Sequence, residues 1–147
     1  MKIIAFDPGV TTGVAIWQEE QGAWPEEWNR FTLGPDDHHQ QLFSMLDLSY
    51  DVVIWESFQY RGQTSAILKS VEYIGVLELV KQNFARSSPS TIFHPQPSSV
   101  AKGFWNDKRL KQIDLWTNVT HTRDATRHLL YYRMQQLKHV HLVDKLK

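Results

Sequence analysis

Cysteine is absent from the 147 residues, so disulfides and thiolate zinc sites are excluded and a reducing compartment is compatible. Long apolar runs are missing too: nowhere do about 18 apolar residues follow one another, and no charged leader precedes such a stretch. A soluble, cytoplasmic protein without membrane contact is expected. Neither charge is in excess, with 16 Lys and Arg against 16 Asp and Glu, which argues against an evenly basic nucleic-acid binder. Repeats, low-complexity tracts and linker-like stretches are likewise lacking. The length suits a single domain over residues 1–147, able to bury about two-thirds of its unfolded surface.

The balanced total hides an uneven distribution. Residues 1–60 hold only Lys2 and Arg30 against ten acids, while residues 61–147 hold fourteen Lys and Arg against six. Such asymmetry suggests an anionic partner for the second half, with acids elsewhere serving as metal ligands or a solvated face. A fold that interleaves the halves would dilute the contrast.

Ile3 to Phe6 form a short apolar run of the kind found in a strand buried on both faces, and Asp7 ends it. Pro8 biases Asp7 toward extended backbone. Gly9 and Gly13 bracket a turn, and Val14 to Trp17 read as a return strand. Trp28 to Leu33 read as a third strand, and a helix from Asp36 to about Leu48 follows the Gly34-Pro35 break. Val52 to Trp55 repeat the buried-strand pattern and again end on an acid, Glu56. Ser57 to Thr64 suit a loop, and Ser65 to Phe84 a long helix. Thr91 to Phe93 suit a strand ended by His94-Pro95-Gln96-Pro97, with a helical turn from Ser98 or Ser99. Lys108 to Trp116 and His121 to Leu137 complete the helices. Antiparallel strands first and βαβ units after predict an α/β mixed sheet flanked by helices.

The chemistry gathers on acids. Asp7 and Glu56 each close an apolar run, and neighbouring strands would present them side by side. His121 and Asp124, three apart, share a face at the start of the last helix. Carboxylates at a sheet edge faced by His and Asp make a hard-metal site, the kind that cleaves phosphodiesters with two Mg²⁺. Each piece alone has a plainer explanation, because acids cap turns and His-x-x-Asp suits a helix start.

Together the motifs resemble those of RuvC-type Holliday-junction resolvases, of the RNase H-like, retroviral-integrase-like superfamily. The matching residues are Phe6-Asp7-Pro8-Gly9 with Thr12-Gly13, then Ile54-Trp55-Glu56, then Gly75-Val76-Leu77-Glu78. They continue with His94-Pro95 through Val100-Ala101-Lys102-Gly103 and finish with His121-Thr122-Arg123-Asp124-Ala125. The resemblance implies an RNase H-like fold and a homodimeric endonuclease of DNA recombination and repair. It would cut branched DNA, chiefly four-way junctions, by paired symmetric nicks using Mg²⁺, with Mn²⁺ substituting and two ions per site. It further implies Asp7, Glu56 and Asp124 as catalytic metal ligands. His121 stands where some members have an acid and others a His, leaving three carboxylates instead of four.

Phe58 and Tyr60 suit wedging against an unpaired base, with Arg61 beside them as a further DNA contact, or they cover the core. Lys102, Lys108, Arg109 and Lys111 are candidate phosphate contacts or a solvated basic face. Phe104 and Trp105 are core or stacking groups. His128, four residues after Asp124 on the same helical face, either assists the site or, the preferred reading, is a polar residue on a half-exposed helix. The same metal chemistry would serve an RNase H-like nuclease acting on other branched DNA or structured RNA. A non-catalytic nucleic-acid-binding module would lack metal dependence. Asp7-x-Gly9-x-Thr11-Thr12-Gly13 also resembles the phosphate loop of actin-type ATPases and sugar kinases, which need a far longer chain.

Overall fold

A computed structural model describes residues 1–21, 29–34, 38–46, 50–57, 65–87, 90–144 and 146. The elements run β1 (Lys2–Asp7), β2 (Thr12–Gln18), β3 (Arg30–Leu33), α1 (His38–Leu46), β4 (Val52–Ser57) and α2 (Ser65–Ser87). They continue with β5 (Ile92–Pro97), α3 (Ser98–Phe104), α4 (Asp107–Gln112), α5 (Thr120–Gln135) and a short α6 (His141–Asp144). The five strands lie in the order β3-β2-β1-β4-β5. β1–β2 and β2–β3 pair antiparallel, while β1–β4 and β4–β5 pair parallel, which makes the expected mixed sheet.

Both faces of this sheet are covered, as the unbroken apolar runs of β1 and β4 require. Ile4, Phe6, Val53 and Trp55 point to one face, where Leu42 and Leu46 of α1 and Leu77 and Val80 of α2 close over them. Ile3, Ala5, Val52 and Ile54 point to the other, under Ala125, Leu129 and Tyr132 of α5. A third cluster, with Trp105, Leu110, Ile113 and Leu130, fastens α4 and the following turn to the outer side of α5.

Two expectations are corrected, and one open alternative is decided. His94 to Pro97 do not end the last strand; β5 carries on through both prolines, pairing Pro95 with Trp55 and Pro97 with Ser57. It is an edge strand, and two prolines two residues apart turn their missing N–H groups to the same unpaired side. The helix expected over 108–116 ends at Gln112, because Asp114 takes a left-handed conformation (φ 59°) that a helix does not continue through. Trp105 is fully buried, which makes it core; Phe104 is half-buried, with the Arg109 guanidinium 4.2 Å over its ring. The expected helix cap at Asp36, the strand start at Trp28 and the loop of Phe58, Tyr60 and Arg61 lie outside the described residues.

Candidate active site

β1 and β4 are parallel neighbours in a register that pairs Phe6 with Trp55. The next residue on each strand is therefore an acid at the same level, Asp7 beside Glu56, at the carboxyl end of the sheet. The two carboxyls are near enough that each shifts the ionisation of the other. α5 crosses this end with its first turn, and the approach depends on Gly13, which pairs with Asp7 across β1–β2. A methyl group on Gly13 would lie 2.0 Å from the carbonyl oxygen of His121 and 2.5 Å from the nitrogen of Thr122. The absent side chain lets the helix start rest on the strand.

That seating brings His121 Nδ1 to 2.6 Å from Asp7 Oδ2. It also sets Asp124, itself buried, facing Glu56 across the ammonium of Lys102 from α3. Lys102 Nζ lies 3.0 Å from Glu56 Oε2 and 2.9 Å from Asp124 Oδ2. The four acid and histidine residues expected at the site are thus brought together. Lys102 joins them as the neutralising cation, whereas Lys108 and Lys111 are exposed on α4 and Arg109 donates to the Phe104 carbonyl at 2.7 Å.

The expectation for His128 is corrected. Its side chain is fully buried, with Nε2 3.2 Å from Glu56 Oε2 and Nδ1 2.6 Å from Gln96 Oε1 of β5. The half-exposed helix assumed for it does not exist, because α5 is covered by the sheet on one side and by α3 on another. Gln96 and Arg127 are further members of the cluster that the sequence motifs do not single out. Arg127 is buried and bonds Asp124 three residues before it. The spacing of His121, Asp124 and His128 at 0, 3 and 7 along one helix was the available signal.

The two strand-end carboxyls differ in their electrostatics. Burial pushes Asp7 up from 3.8 to about 6, opposed by its bond to His121 and reinforced by the charge of Glu56. Burial acts upward on Glu56 as well, but the His128 bond and the Lys102 ammonium outweigh it and hold it down at about 2. The bond to Asp7 raises His121, and although burial acts downward on Lys102, Glu56 and Asp124 raise it.

Among the described residues no three His, Asp or Glu side chains stand close enough to share one ion. The donor chemistry nevertheless fits a hard divalent cation. Carboxylate oxygens already surround a positive centre, Lys102 Nζ, at 2.9–3.0 Å, and withdrawal of that flexible side chain would leave them facing one another.

No protein-family model and no curated protein sequence matches the chain. Solved structures do. T. thermophilus RuvC in complex with a Holliday junction substrate aligns over 95% of this chain and 96% of its own, with a TM-score of 0.66 and 11% identity. A second Thermus thermophilus RuvC structure aligns over 94% and 96%, with a TM-score of 0.65 and 13% identity. With sequences so far apart, the likeness is one of backbone architecture, and in that architecture the chain has the RNase H-like fold of the Holliday-junction resolvase RuvC.

Proposed function

We propose that the chain is a metal-dependent endonuclease, one RNase H-like domain over residues 1–147, that resolves four-way DNA junctions by paired symmetric nicks. The observation that carries this is the gathering of Asp7, paired with His121, and of Glu56 and Asp124, bridged by Lys102, at the carboxyl end of β1 and β4. These four residues would hold Mg²⁺, or Mn²⁺ in its place, two ions per site. When bound, such ions acidify the attacking water and neutralise charge on the departing 3′-oxygen, leaving a 5′-phosphate.

The chain's own groups prepare that chemistry. His121 fixes the rotamer of Asp7, and His128, steadied by Gln96, fixes Glu56. Glu56 stays ionised at any working pH, so it offers oxygen lone pairs to a cation throughout. Lys102, once withdrawn from the carboxylates, is placed to meet the scissile phosphate. Lys108 and Lys111 would contact flanking phosphates, which gives affinity without sequence reading. Phe58 and Tyr60, outside the described residues, would wedge against an unpaired base at the junction centre, with Arg61 a further DNA contact. Two opposed cuts call for two copies. On α2, Val71, Gly75 and Leu79, four residues apart, form an exposed strip on which a second copy would pack.

The deciding experiment is incubation with Mg²⁺ and a labelled immobile four-way junction, with a matched duplex and a flap alongside. Paired, ligatable nicks on the junction are expected. Equal cutting of flap and duplex would move the protein to a broader nuclease of branched DNA. No cutting with either Mg²⁺ or Mn²⁺ would end the proposal.

Lys102 supplies a second check with opposite signs in two readouts. Lys102→Met removes the cation that competes for Glu56 and Asp124, so Mn²⁺ should bind several-fold tighter by calorimetry. Cleavage should fall all the same, because the phosphate loses its ammonium partner. Weaker Mn²⁺ binding in this variant would mean that Lys102 organises the carboxylates instead of occupying their place.

A further inference from the structure

α4 is the basic surface element beside the site, with Lys108 and Lys111 exposed, yet it opens on an acid, Asp107. Helix capping does not account for this residue, since the neighbouring Asn106 caps the helix by accepting from the Arg109 amide at 3.0 Å. The Asp107 carboxylate, half exposed to solvent, lies against two guanidinium groups. It pairs with Arg127 and lies 3.5 Å from Arg123 Nε.

Arg127 is the unusual partner, a buried guanidinium with each of its three nitrogens committed. One terminal nitrogen bonds Asp107, the other bonds Asp124 Oδ1, and Nε donates to the Trp105 carbonyl at 2.8 Å. The rigid planar fork fixes the two carboxylates relative to each other. Because Arg127 holds Oδ1 of Asp124, the other oxygen, Oδ2, is the one aimed into the site, where Lys102 meets it.

We infer that Asp107 and Arg127 form a strut that runs from the α4 surface to Asp124 and sets that carboxylate for metal binding and cleavage. The inference rests on the nuclease proposed above, and it makes both residues positioning residues, neither touching the reacting atoms. The strut joins the helix that would meet the DNA backbone to a buried carboxylate of the cluster. A shift of α4 on binding DNA is thereby passed to Asp124 through two ion pairs.

Asp107→Asn separates the strut from simple electrostatics, because the two predict opposite outcomes. Charge alone says that losing an acid beside Lys108 and Lys111 strengthens DNA binding and leaves cleavage equal or better. The strut says that junction binding in EDTA holds or tightens while cleavage drops by about tenfold or more, as for other groups that orient a metal ligand. Mn²⁺ affinity, read from the free-ion paramagnetic resonance signal without DNA, should weaken several-fold, which a merely fold-stabilising role would not produce. Asp107→Glu, which keeps the carboxylate, should recover part of both losses. Should Asp107→Asn not fold, Arg127→Lys keeps the charge and loses the fork, and the same Mn²⁺ and cleavage deficits are expected of it. Wild-type Mn²⁺ affinity and cleavage within about twofold in a folded Asp107→Asn or Arg127→Lys protein would overturn the strut. That result would leave the nuclease proposal standing, since Asp7 tests the nuclease independently.

Discussion

Asp7→Asn is expected to abolish junction cleavage, by on the order of 10³-fold or more, while binding to an uncleaved junction stays within about twofold. Asp7 is 6% exposed at the end of a central strand, and Asn is close to isosteric, so the backbone around it has no reason to move. What changes is one anionic oxygen donor, together with the acceptor that orients His121. The phosphate contacts assigned to Lys108 and Lys111 lie on α4 and are untouched, which is why affinity and cleavage should part. Retained cleavage in this variant would remove the metal-dependent mechanism.

The same substitution carries a stability prediction whose sign follows from burial. Asp7 ionises at about 6 in the fold against 3.8 as its ordinary value, so the folded state resists its negative charge. The penalty is absent below pH 3.8, grows between pH 3.8 and 6, and is complete above 6. In EDTA at pH 7.5, Asp7→Asn should therefore melt several degrees above the parent, a gain on the order of 1–3 kcal/mol. At pH 4 the gain should nearly vanish. A variant that melts lower at pH 7.5 would show that the bond from His121 outweighs desolvation.

How much of this was legible from residues alone differs between elements. β1 and β4 were, because strands buried on both faces have no polar side to confuse the pattern, and each stops on a charge that the interior cannot take. Their adjacency, which makes Asp7 and Glu56 a pair, rests on the β1–β4 register and not on any local signal. β5 extends past its legible pattern because Pro95 and Pro97 read as terminators, and only at a sheet edge are they harmless. Lys102 opens the basic stretch that ends at Lys111 and so reads with Lys108 and Arg109 as a phosphate contact or a solvated face, whereas the turn of α3 after Pro97 aims it at the acids. His128 reads as half-exposed because α5 is sparsely apolar, a pattern that ordinarily means one exposed face. Here several polar groups are buried with partners on and off the helix: Thr126 bonds the Thr122 carbonyl at 2.8 Å, Arg127 bonds Asp124, and His128 bonds Glu56. The charge asymmetry also takes on a local meaning. Lys102 and Arg127 from the basic half neutralise Glu56 and Asp124 at one spot, so the two halves interleave where the chemistry is.

Gly13→Ala should be nearly as damaging as loss of a carboxylate, although the residue holds no functional group. Sequence motif matching places Gly13 in a turn, but it lies inside β2, opposite Asp7 and under the first turn of α5. The added methyl would sit 2.0 and 2.1 Å from the carbonyl oxygen and carbon of His121, backbone atoms that no rotamer change can clear. Reaching ordinary contact requires the helix start to withdraw by about 1 Å or more, and His121 and Asp124 withdraw with it while Asp7 and Glu56 stay on their strands. A displacement of that size at reacting groups costs about 10²-fold in rate, and the overpacked seam costs about 1–3 kcal/mol of stability. Gly103→Ala gives the contrast, since a methyl there meets nothing within 4 Å and fills a helical position. It should melt slightly higher, by about 0.5–1 kcal/mol of added stability. Cleavage and melting measured on both variants decide the matter: a Gly13→Ala protein that cuts and melts like its parent would show that α5 does not rest on the strand as described.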